Sequence, residues 1–542
     1  MDQSISPTKR LWSLVQEKRS DITAIYFFAL LSGLIQLSLP LGIQAIIGFV
    51  LGGTLSSSLV VLITILIVAV CLTGVLRINQ MRVIERVQQR LFVKYSFAFA
   101  DRIPRLDLKR VDGFYLPELV NRFFDTMILQ KGFSKLLLDV PAAAIQILLG
   151  LIVLSFYHPF FILFGILLLL LLWLILHVTS SKGLNTSLQE SAHKYGVAGW
   201  LEEMARMVTS FKFSDSDLHL KKADEKTIAY LNTRTQHFKV LELQYKILIA
   251  FKVLITAAML IGGVVLLINQ QINIGQFVAA EIIILAVIAS VEKIIINLDS
   301  VYDVLTAVEK INKLIDKPIE STGNYQAPNR SIGVSAKNLC FEYEPGKKII
   351  NNASFSIEAG EKVCIKGSPG TGKSTLLKLI SGVFTDYTGS LSLNNVPLPN
   401  YDLMSLRNKI GILFAQETIF HGTLWENLTM DREHTDHEYI GYLCEQAGLL
   451  PFPENLPNGY DTKLDPTGKR LPRTVVQKIL LVRAFAHKPD LMILENPFFG
   501  IDNLHKENMK RLLLSNKATV IVATNDVEFA KSCDKIIDLD KN

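Results

Sequence analysis

The amino-acid sequence predicts an α-helical membrane domain with six spans, followed by a soluble α/β domain. Hydrophobic residues make up 49% of the 542 residues, which is more than an ordinary soluble protein of this length contains. Long apolar runs fill about the first 300 residues, and short strand-like segments separated by turn residues begin near Val334. A chain of this length is also expected to form more than one domain.

Six runs are long enough to cross the hydrocarbon core of a bilayer, which takes about 20 apolar residues in a helix. The short connection within each successive pair of spans contains no Lys, Arg, Asp or Glu, whereas the longer connections are rich in both signs. The positive-inside rule then places both termini, the long loops and the soluble domain in the cytoplasm, and makes the chain a multi-pass protein of the plasma (inner) membrane. The predicted spans are residues 22–50, 56–78, 134–157, 159–180, 246–269 and 274–297.

Charge and cysteine content exclude several other classes. The net charge of +6 does not indicate nucleic-acid binding, because the basic residues flank the apolar runs. The five cysteines form no CxxC pair, so neither a disulfide framework nor a zinc site is expected. The first apolar run, from near Ile22, is too long for a cleavable signal peptide.

Two further features concern the segment before the first span and the first span itself. Residues 6–21 interleave basic and aromatic residues and favour a helix lying on the inner membrane surface, with a disordered tail as the alternative. Within the first span, Pro40 predicts a kink.

The long connections continue the spans as helices, as in residues 77–103, where apolar residues recur at helical spacing. Turn residues and aromatics interrupt these helices at residues 108–119 and 205–217. Both interruptions are candidates for contacts with the soluble domain, and plain reverse turns are the alternative. The aromatic candidates are Phe114, Tyr115, Phe211 and Phe213.

A phosphate-binding motif follows the third strand-like segment. The sequence GSPGTGKST matches G-x-x-x-x-G-K-[ST] and stands between a strand-like segment and a predicted helix, which is the context that this motif requires. Glycines let the backbone wrap closely around phosphate oxygens, and the N–H groups at the helix start supply positive potential. Lys373 should reach the outer phosphates, and Ser374 should bind Mg²⁺. The predicted nucleotide-binding residues of this loop are Gly367, Ser368, Pro369, Gly370, Thr371, Gly372, Lys373, Ser374 and Thr375.

Six spans followed by this loop resemble an ABC exporter half-transporter, and the likeness runs over essentially the whole chain. The membrane half is most similar to the haemolysin-type and peptide-exporting branch. The resemblance implies a transmembrane domain over residues 1–317, a linker over 318–332 and a nucleotide-binding domain over 333–542. It also implies bound ATP and Mg²⁺, and a bilayer-embedded homodimer or a heterodimer with a second half-transporter. Secretion accessory proteins are further candidate partners.

Further positions match the family in order. Tyr343 stands where an aromatic side chain stacks on adenine, and Gln416 stands where a glutamine senses the γ-phosphate and Mg²⁺. Glu495 replaces the usual aspartate near the metal and keeps its charge, so the implied metal ligands are Ser374, Gln416 and Glu495. Asp502 matches the aspartate at the dimer seam.

Other positions depart from the family where hydrolysis needs a particular group. Asn496 replaces the glutamate that polarises the attacking water, and Asn525 replaces a histidine that contacts the γ-phosphate. Losing a positioned general base typically lowers the rate by about 10²–10⁴-fold. In place of the signature L-S-G-G-Q, Pro472 removes a hydroxyl but can serve as the first residue of the helix. The signature is replaced by Leu471, Pro472, Arg473, Thr474 and Val475.

The sequence therefore predicts the ATP-binding subunit of an ABC-type exporter, dimeric, with weak or absent hydrolysis at its own site and a peptide, protein or lipid-like cargo. No catalytic residue is assigned. The alternative that another residue of the chain supplies the general base stays open. The alternative function is a non-hydrolysing regulatory or scaffold subunit of a secretion complex, in which ATP is a structural ligand.

Glu281 raises a separate question, because it lies several residues inside the last predicted span. A carboxylate there is costly against lipid and should face a cavity or a polar partner. It could contact cargo or satisfy an interhelical contact, and the sequence leaves both open. Lys252, Glu292 and Lys293 lie nearer the inner ends of their spans, where long side chains can reach the interface.

Overall fold

A computed structural model of the chain describes residues 6–17, 19–53, 57–111, 116–433, 435–465 and 471–540. The chain divides into two compact units. The first contains Met1–Pro104 and Phe114–Lys317, and the second contains Arg105–Gly113 and Pro318–Asn542. The tip of the first long connection therefore belongs with the second unit.

The first unit is helical. Six stretches within it are long and apolar enough to cross a membrane, as the sequence predicts. Its helices are α1 (Pro7–Glu17), α2 (Arg19–Gln36), α3 (Ser38–Leu51), α4 (Ser57–Arg102), α6 (Leu116–Asn121), α7 (Asp125–Ser155), α8 (Phe160–Arg206), α9 (Val208–Lys212), α10 (Leu218–Ile268), α11 (Ile274–Ile296) and α12 (Leu298–Ile315). The short helix α5 (Leu108–Val111) lies between α4 and α6 in the chain and belongs to the second unit.

The first span is interrupted at Leu37, whose backbone stays in the right-handed helical region, with φ of −68° and ψ of −18°. Helix α2 ends at Gln36, and α3 begins at Ser38. Pro40 has no N–H to donate to the carbonyl of Gln36 four residues earlier, so one continuous helix would leave that carbonyl without its usual partner. The interruption lies three residues before Pro40, and the predicted kink there stays a prediction.

Helix α1 forms, and one side of it is covered by protein. Leu14 is buried in an apolar cluster with residues of α4, α7 and α12, and Arg10 forms an ion pair with Asp316. Trp12 is 62% exposed on the opposite side. The amphipathic pattern of this segment therefore serves protein packing on one face and leaves an aromatic side chain free on the other.

Buried polar side chains tie α8, α10 and α12 together. His237 Nδ1 lies 2.9 Å from Thr186 Oγ1, and its Nε2 lies 3.3 Å from Asp299 Oδ1. The Gln244 amide donates to Thr179 Oγ1 at 2.6 Å and to the Tyr302 hydroxyl at 3.0 Å. Because a buried polar group without a partner destabilises the fold, these bonds also fix the register of the three helices.

The second unit is α/β. Its strands are β1 (Val334–Glu342), β2 (Lys348–Ile357), β3 (Lys362–Lys366), β4 (Thr388–Leu393), β5 (Val396–Pro397), β6 (Ile410–Leu413), β7 (Gly422–Thr423), β8 (Lys463–Leu464), β9 (Leu491–Glu495), β10 (Thr519–Ala523) and β11 (Lys535–Asp538). The antiparallel sheet has the order β2-β1-β4-β5, the parallel sheet has the order β11-β3-β10-β9-β6, and β7 pairs with β8. The helices are α13 (Lys373–Ile380), α14 (Leu403–Arg407), α15 (Leu424–Thr429), α16 (His437–Gln446), α17 (Pro451–Glu454), α18 (Arg473–Phe485), α19 (Asn503–Ser515) and α20 (Val527–Ser532).

The segment interpreted as a linker, residues 318–332, is bonded along the second unit. Gly323 N–H donates to the Tyr401 carbonyl at 2.7 Å, and Tyr325 N–H donates to the Asn400 carbonyl at 2.9 Å. A free linker would leave these backbone groups to water. Residues 318–332 therefore pack against the second unit, and their role as the linker between the domains stays a prediction.

The tip of the first long connection is held in the same unit. Asp107 N–H donates to the Pro318 carbonyl at 3.0 Å, and Lys109 lies over the Phe341 ring and pairs with Asp386. Phe114 and Tyr115, the aromatic candidates here, lie outside the described residues.

The two aromatic candidates of the second long connection lie in the first unit. Phe211 packs edge-on against Trp200, with ring centroids 6.0 Å apart. Phe213 is 88% exposed. The role of this loop in contacting the soluble domain stays a prediction.

Two glycines of α8 provide a test of packing in the first unit. A Cβ on Gly183 would lie 2.3 Å from Tyr302 Cζ, whereas a Cβ on Gly196 would meet nothing within 4 Å. We expect Gly183→Ala to lower the melting temperature of the purified protein, because overpacking costs about 1–3 kcal/mol. Gly196→Ala is the matched control and should leave the melting temperature unchanged or raise it, since alanine favours helix over glycine. Equal effects of the two substitutions would contradict this packing.

Candidate nucleotide-binding site

The parallel sheet of the second unit brings five loops to one edge. Strand β3 pairs in parallel with β10 and β11, and β9 pairs in parallel with β10 and β6. The carboxyl ends of parallel strands meet at one edge, which is where open α/β sheets bind ligands. The residues that follow β3, β6, β9, β10 and β11 therefore lie along the same edge of the sheet although they are far apart in sequence.

The phosphate loop follows β3 and leads into α13. Gly370 and Gly372 have φ of +91° and +88°, in the left-handed region that favours glycine. A Cβ on Gly372 would lie 2.7 Å from Ile350 Cδ1, so this position also requires close backbone packing. Lys373 Nζ donates to the carbonyls of Gly367 and Ser368 at 2.6 and 2.8 Å, which places the ammonium group over the loop.

Glu495, at the end of β9, contacts the start of α13. Its Oε1 accepts a hydrogen bond from Ser374 Oγ at 2.5 Å, and its Oε2 accepts one from the Ala415 N–H at 3.1 Å. The hydroxyl and the carboxylate are hard oxygen donors of the kind that Mg²⁺ prefers, so these two residues fit a bound Mg²⁺. The longer side chain of glutamate still reaches the phosphate loop.

The two other residues implied by the family resemblance lie nearby in the fold. Tyr343 is half-buried, and its hydroxyl lies 3.1 Å from Thr375 Oγ1 at the start of α13. Its ring packs edge-on against Phe341 and Phe384. Gln416 is exposed in the loop after β6 and directly follows Ala415, whose N–H donates to Glu495.

Asp540 also contacts the phosphate loop, and the sequence analysis missed it. Its carboxylate accepts hydrogen bonds from Ser368 N–H at 2.9 Å and from Ser368 Oγ at 3.1 Å. In the parallel pairing, Asp538 at the end of β11 stands opposite Lys366 at the end of β3. The sequence does show an acidic residue just after the last strand. It could be assigned to the phosphate loop only once the pairing of β11 with β3 was known.

Asn496 directly follows Glu495 and has a left-handed backbone, with φ of +46°. Its N–H donates to the Ala523 carbonyl at 2.8 Å, and its own carbonyl accepts from Gln477 Nε2 at 3.3 Å. Asparagine tolerates this conformation better than most other residues. The backbone at this position is thus fixed by the neighbouring strand and by α18.

Two further carboxylates in these loops are engaged with cations. The Asp502 carboxylate accepts hydrogen bonds from the backbone N–H and the ring of His505. Burial raises the pKa of Asp502, but these hydrogen bonds and the charge of Lys478 outweigh burial and lower the pKa to about 2. Asp526 pairs with Lys506 at 2.8 Å and Lys510 at 3.3 Å, which outweigh the effect of burial and lower its pKa to about 2. Both groups are poor proton acceptors near neutral pH because their ionised forms are strongly favoured.

Asn525 precedes Asp526 and is exposed in the loop after β10. The structure describes no hydrogen-bond partner for its side chain among the residues it covers.

The substituted signature segment begins α18 without a side-chain cap. The helix starts at Arg473, so Pro472 is the residue before the helix rather than its first residue. The Arg473 guanidinium lies 5.2 Å from the centre of the Phe499 ring. A Cβ on Gly500 would lie 2.9 Å from Thr474 Cγ2. A cation and a β-branched side chain therefore stand at the two positions predicted to match the signature glycines.

These features define a class: a six-span helical membrane unit joined to an α/β unit with a phosphate loop. Comparison with known families agrees. Residues 22–291 match the ABC transporter transmembrane region, and residues 350–499 match the ABC transporter family. The chain belongs to the ABC transporter family and is an ABC exporter half-transporter.

Curated relatives match parts of the chain. A probable ABC transporter ATP-binding/permease protein of Haemophilus influenzae is 28% identical over 289 residues, 52% of this chain and 52% of that protein. The mitochondrial iron–sulfur clusters transporter ATM1 of Saccharomyces cerevisiae is 30% identical over 216 residues, 39% of this chain and 31% of that protein. The chain thus spans about half the length, or less, of these relatives.

A solved structure agrees over nearly the whole chain. A bacterial Atm1-family ABC exporter with ATP bound superimposes with a TM-score of 0.82 and covers 96% of this chain and 94% of its own. Its sequence identity is 18%, so it shows the fold alone.

Glu417 follows Gln416 and provides a test by pH. Burial raises its pKa from 4.5 to about 7, and the charge of Arg483 offsets this only in part. Because the folded-state pKa is the higher one, the stabilisation is complete below about pH 4.5 and is lost as the pH rises through about 7. We expect Glu417→Gln to melt several degrees above the wild type at pH 8.5 and close to it at about pH 4, which lies below the pKa of this carboxyl in both the folded and the unfolded chain. The exposed Glu445→Gln is the control, and a difference that does not change with pH would refute this assignment.

Proposed function

We propose that this chain is the ATP-binding subunit of a membrane exporter that holds nucleotide but hydrolyses it weakly or not at all at its own phosphate loop. Lys373 and the loop N–H groups would hold the phosphates, and Tyr343 would stack on the adenine. Ser374, Glu495 and Gln416 would bind Mg²⁺, which neutralises phosphate charge when bound. The contact between Ser374 and Glu495 supports this set because it joins two oxygen donors at the loop.

The observation that carries the weak-hydrolysis proposal is Asn496 at the end of β9. An amide cannot take a proton from water, and the neighbouring carboxylates are already engaged. Glu495 accepts from Ser374, Asp502 from His505, and Asp526 pairs with lysines. Glu417, which follows Gln416, lies near the guanidinium of Arg483 in α18.

We infer that the working form is a dimer. In the exporter family each site combines the phosphate loop of one subunit with the signature segment of the other. A homodimer of this chain would have two impaired sites. In a heterodimer with a complete partner, one site would keep the partner's base and be closed by Leu471 to Val475 of this chain.

The charge pattern supports the membrane location, and the family resemblance supports the class of cargo. The charge-free short connections and the charged long ones support a multi-pass protein of the plasma (inner) membrane with a cytoplasmic nucleotide-binding domain. The cargo would be a peptide, a protein or a lipid-like molecule, moved outward by alternating access with accessory secretion proteins as candidate partners.

A non-hydrolysing regulatory or scaffold subunit is the second candidate. The substitutions at Pro472 to Thr474, Asn496 and Asn525 favour it, because together they remove the base, a γ-phosphate contact and the signature glycines. In that case ATP would act as a structural ligand. Reopening of the nucleotide-closed, reconstituted dimer, followed by cross-linking over time, separates the two functions, because only the exporter needs to reopen.

The first prediction here concerns nucleotide binding. We expect Lys373→Ala to weaken binding of a fluorescent ATP analogue at least about tenfold, because a charge-assisted contact to the phosphates is lost. Lys347→Ala removes a lysine whose side chain is 76% exposed and should leave both binding and melting unchanged. Unaltered affinity of the Lys373→Ala protein, at unaltered melting temperature, would argue against this site.

The second prediction concerns hydrolysis. We expect the purified wild type to show little ATPase activity, and Asn496→Glu combined with the signature L-S-G-G-Q at 471–475 to raise it about 10²-fold or more. Asn496→Glu alone should lower the melting temperature, because glutamate in the left-handed region costs about 1–2 kcal/mol. The same variant with Lys373→Ala controls for contaminating ATPase. Ordinary transporter turnover in the wild type would overturn the weak-hydrolysis proposal.

A further inference from the structure

Three hairpins of the membrane unit contain almost no formal charge. Residues 22–76 and 140–181 contain no Asp, Glu, Lys or Arg, and residues 253–291 contain only Glu281. Glu281 lies seven residues into α11, which places it about 10 Å from the start of the helix at 1.5 Å per residue. It is the most deeply placed carboxylate of the spans.

Charged side chains closer to the other ends of the spans have partners. Lys252 Nζ lies 3.1 Å from Glu292, and Lys293 Nζ lies 2.7 Å from Asp139. Among the described residues, Glu281 has neither a hydrogen bond nor an ion pair through its carboxylate. The interhelical contact that the sequence left open is therefore not made within this part of the chain.

Glu281 stands on the side of α11 that its own chain covers least, and its side chain is partly exposed. Helix α11 packs against α7, α3 and α10, and half of the apolar window of its span is buried, a larger share than in any other span of the described chain. The less covered side runs along the helix at spacings of three and four residues. Its members are the exposed Ile274, Leu285, Ala289 and Ile296 and the partly exposed Val278, Glu281 and Glu292.

Lipid is an unfavourable neighbour for this side of α11. An acidic side chain near the centre of a span costs about 2.5–3.5 kcal/mol on insertion scales, and more without water or a partner. The neighbouring positions, Val278, Leu285 and Ala289, are apolar. A ligand that joins a cation to an apolar body matches both features, because it neutralises the carboxylate and covers the rest.

We propose that Glu281 binds the protonated amine of an amphipathic molecule that this exporter carries. This inference rests on the proposed export function and specifies the chemical class of its cargo. The carboxylate contributes an ion pair in a setting of low dielectric, where such a pair is stronger than in water. The apolar positions one turn away on either side contact the hydrophobic part of the molecule.

The test uses two fluorescent probes that differ only in charge. Monodansylcadaverine carries a primary amine, and its N-acetyl derivative is neutral. We expect the full chain in lipid nanodiscs, without nucleotide, to bind the amine at least about tenfold more tightly than the neutral probe. Glu281→Gln should abolish this preference, and Glu281→Asp should keep part of it. Glu292→Gln is the control and should keep the preference, because that carboxylate is already paired with Lys252.

Three outcomes would overturn the proposal. The first is equal affinity of the wild type for both probes, and the second is an amine preference that survives in Glu281→Gln. The third is a fall in dimer content or melting temperature of Glu281→Gln without any amine preference in the wild type, which would assign the carboxylate to a cation of a partner subunit. Binding of the fluorescent ATP analogue is measured on the same samples, so loss of nucleotide binding is distinguished from loss of amine binding.

Discussion

The parallel pairing of the buried strands β3, β9 and β10 is the constraint on which the nucleotide site depends. All five residues of β9 and all five of β10 are buried, and a one-residue slip would move every side chain to the opposite face of the sheet. The register is therefore fixed by the core, far from any ligand. That fixed register places Lys373, Glu495 and Asn496 at one edge, and substitutions there change chemistry without changing architecture.

This arrangement separates binding of a triphosphate from its cleavage. In the proposed site, binding would rely on backbone N–H groups, on Lys373 and on oxygen donors, and these depend on the loop conformation. Cleavage relies on a single proton acceptor, and no part of the backbone can replace it. The left-handed conformation at Asn496 joins the two, because the backbone that suits asparagine disfavours the longer side chain of a base.

The parts of the fold that could be predicted from sequence are those that local patterns determine. Six spans follow from apolar runs, and the phosphate loop follows from its motif between a strand and a helix. Long-range contacts determine the rest: the bonds of residues 318–332, the position of Lys109 over Phe341, and the contact of Asp540 with Ser368. The start of α18 at Arg473 instead of Pro472 is a smaller difference, of one residue, set by the backbone conformation of the proline.

In both units several charged side chains away from bulk water have an oppositely charged partner. A charged side chain without such a partner therefore indicates where a ligand of opposite charge can bind. Within the membrane unit, Lys293 and Lys252 each meet a carboxylate, which removes the cost of burying either charge alone. In the nucleotide-binding unit, the partners of Lys373 among the described residues are two carbonyls of its own loop, which neutralise none of its charge. In the proposed site, a phosphate would supply the missing anion for Lys373. By the same reasoning, Glu281 needs a cation from outside the described chain, and a charged apolar molecule passing along α11 supplies it without any change in the fold.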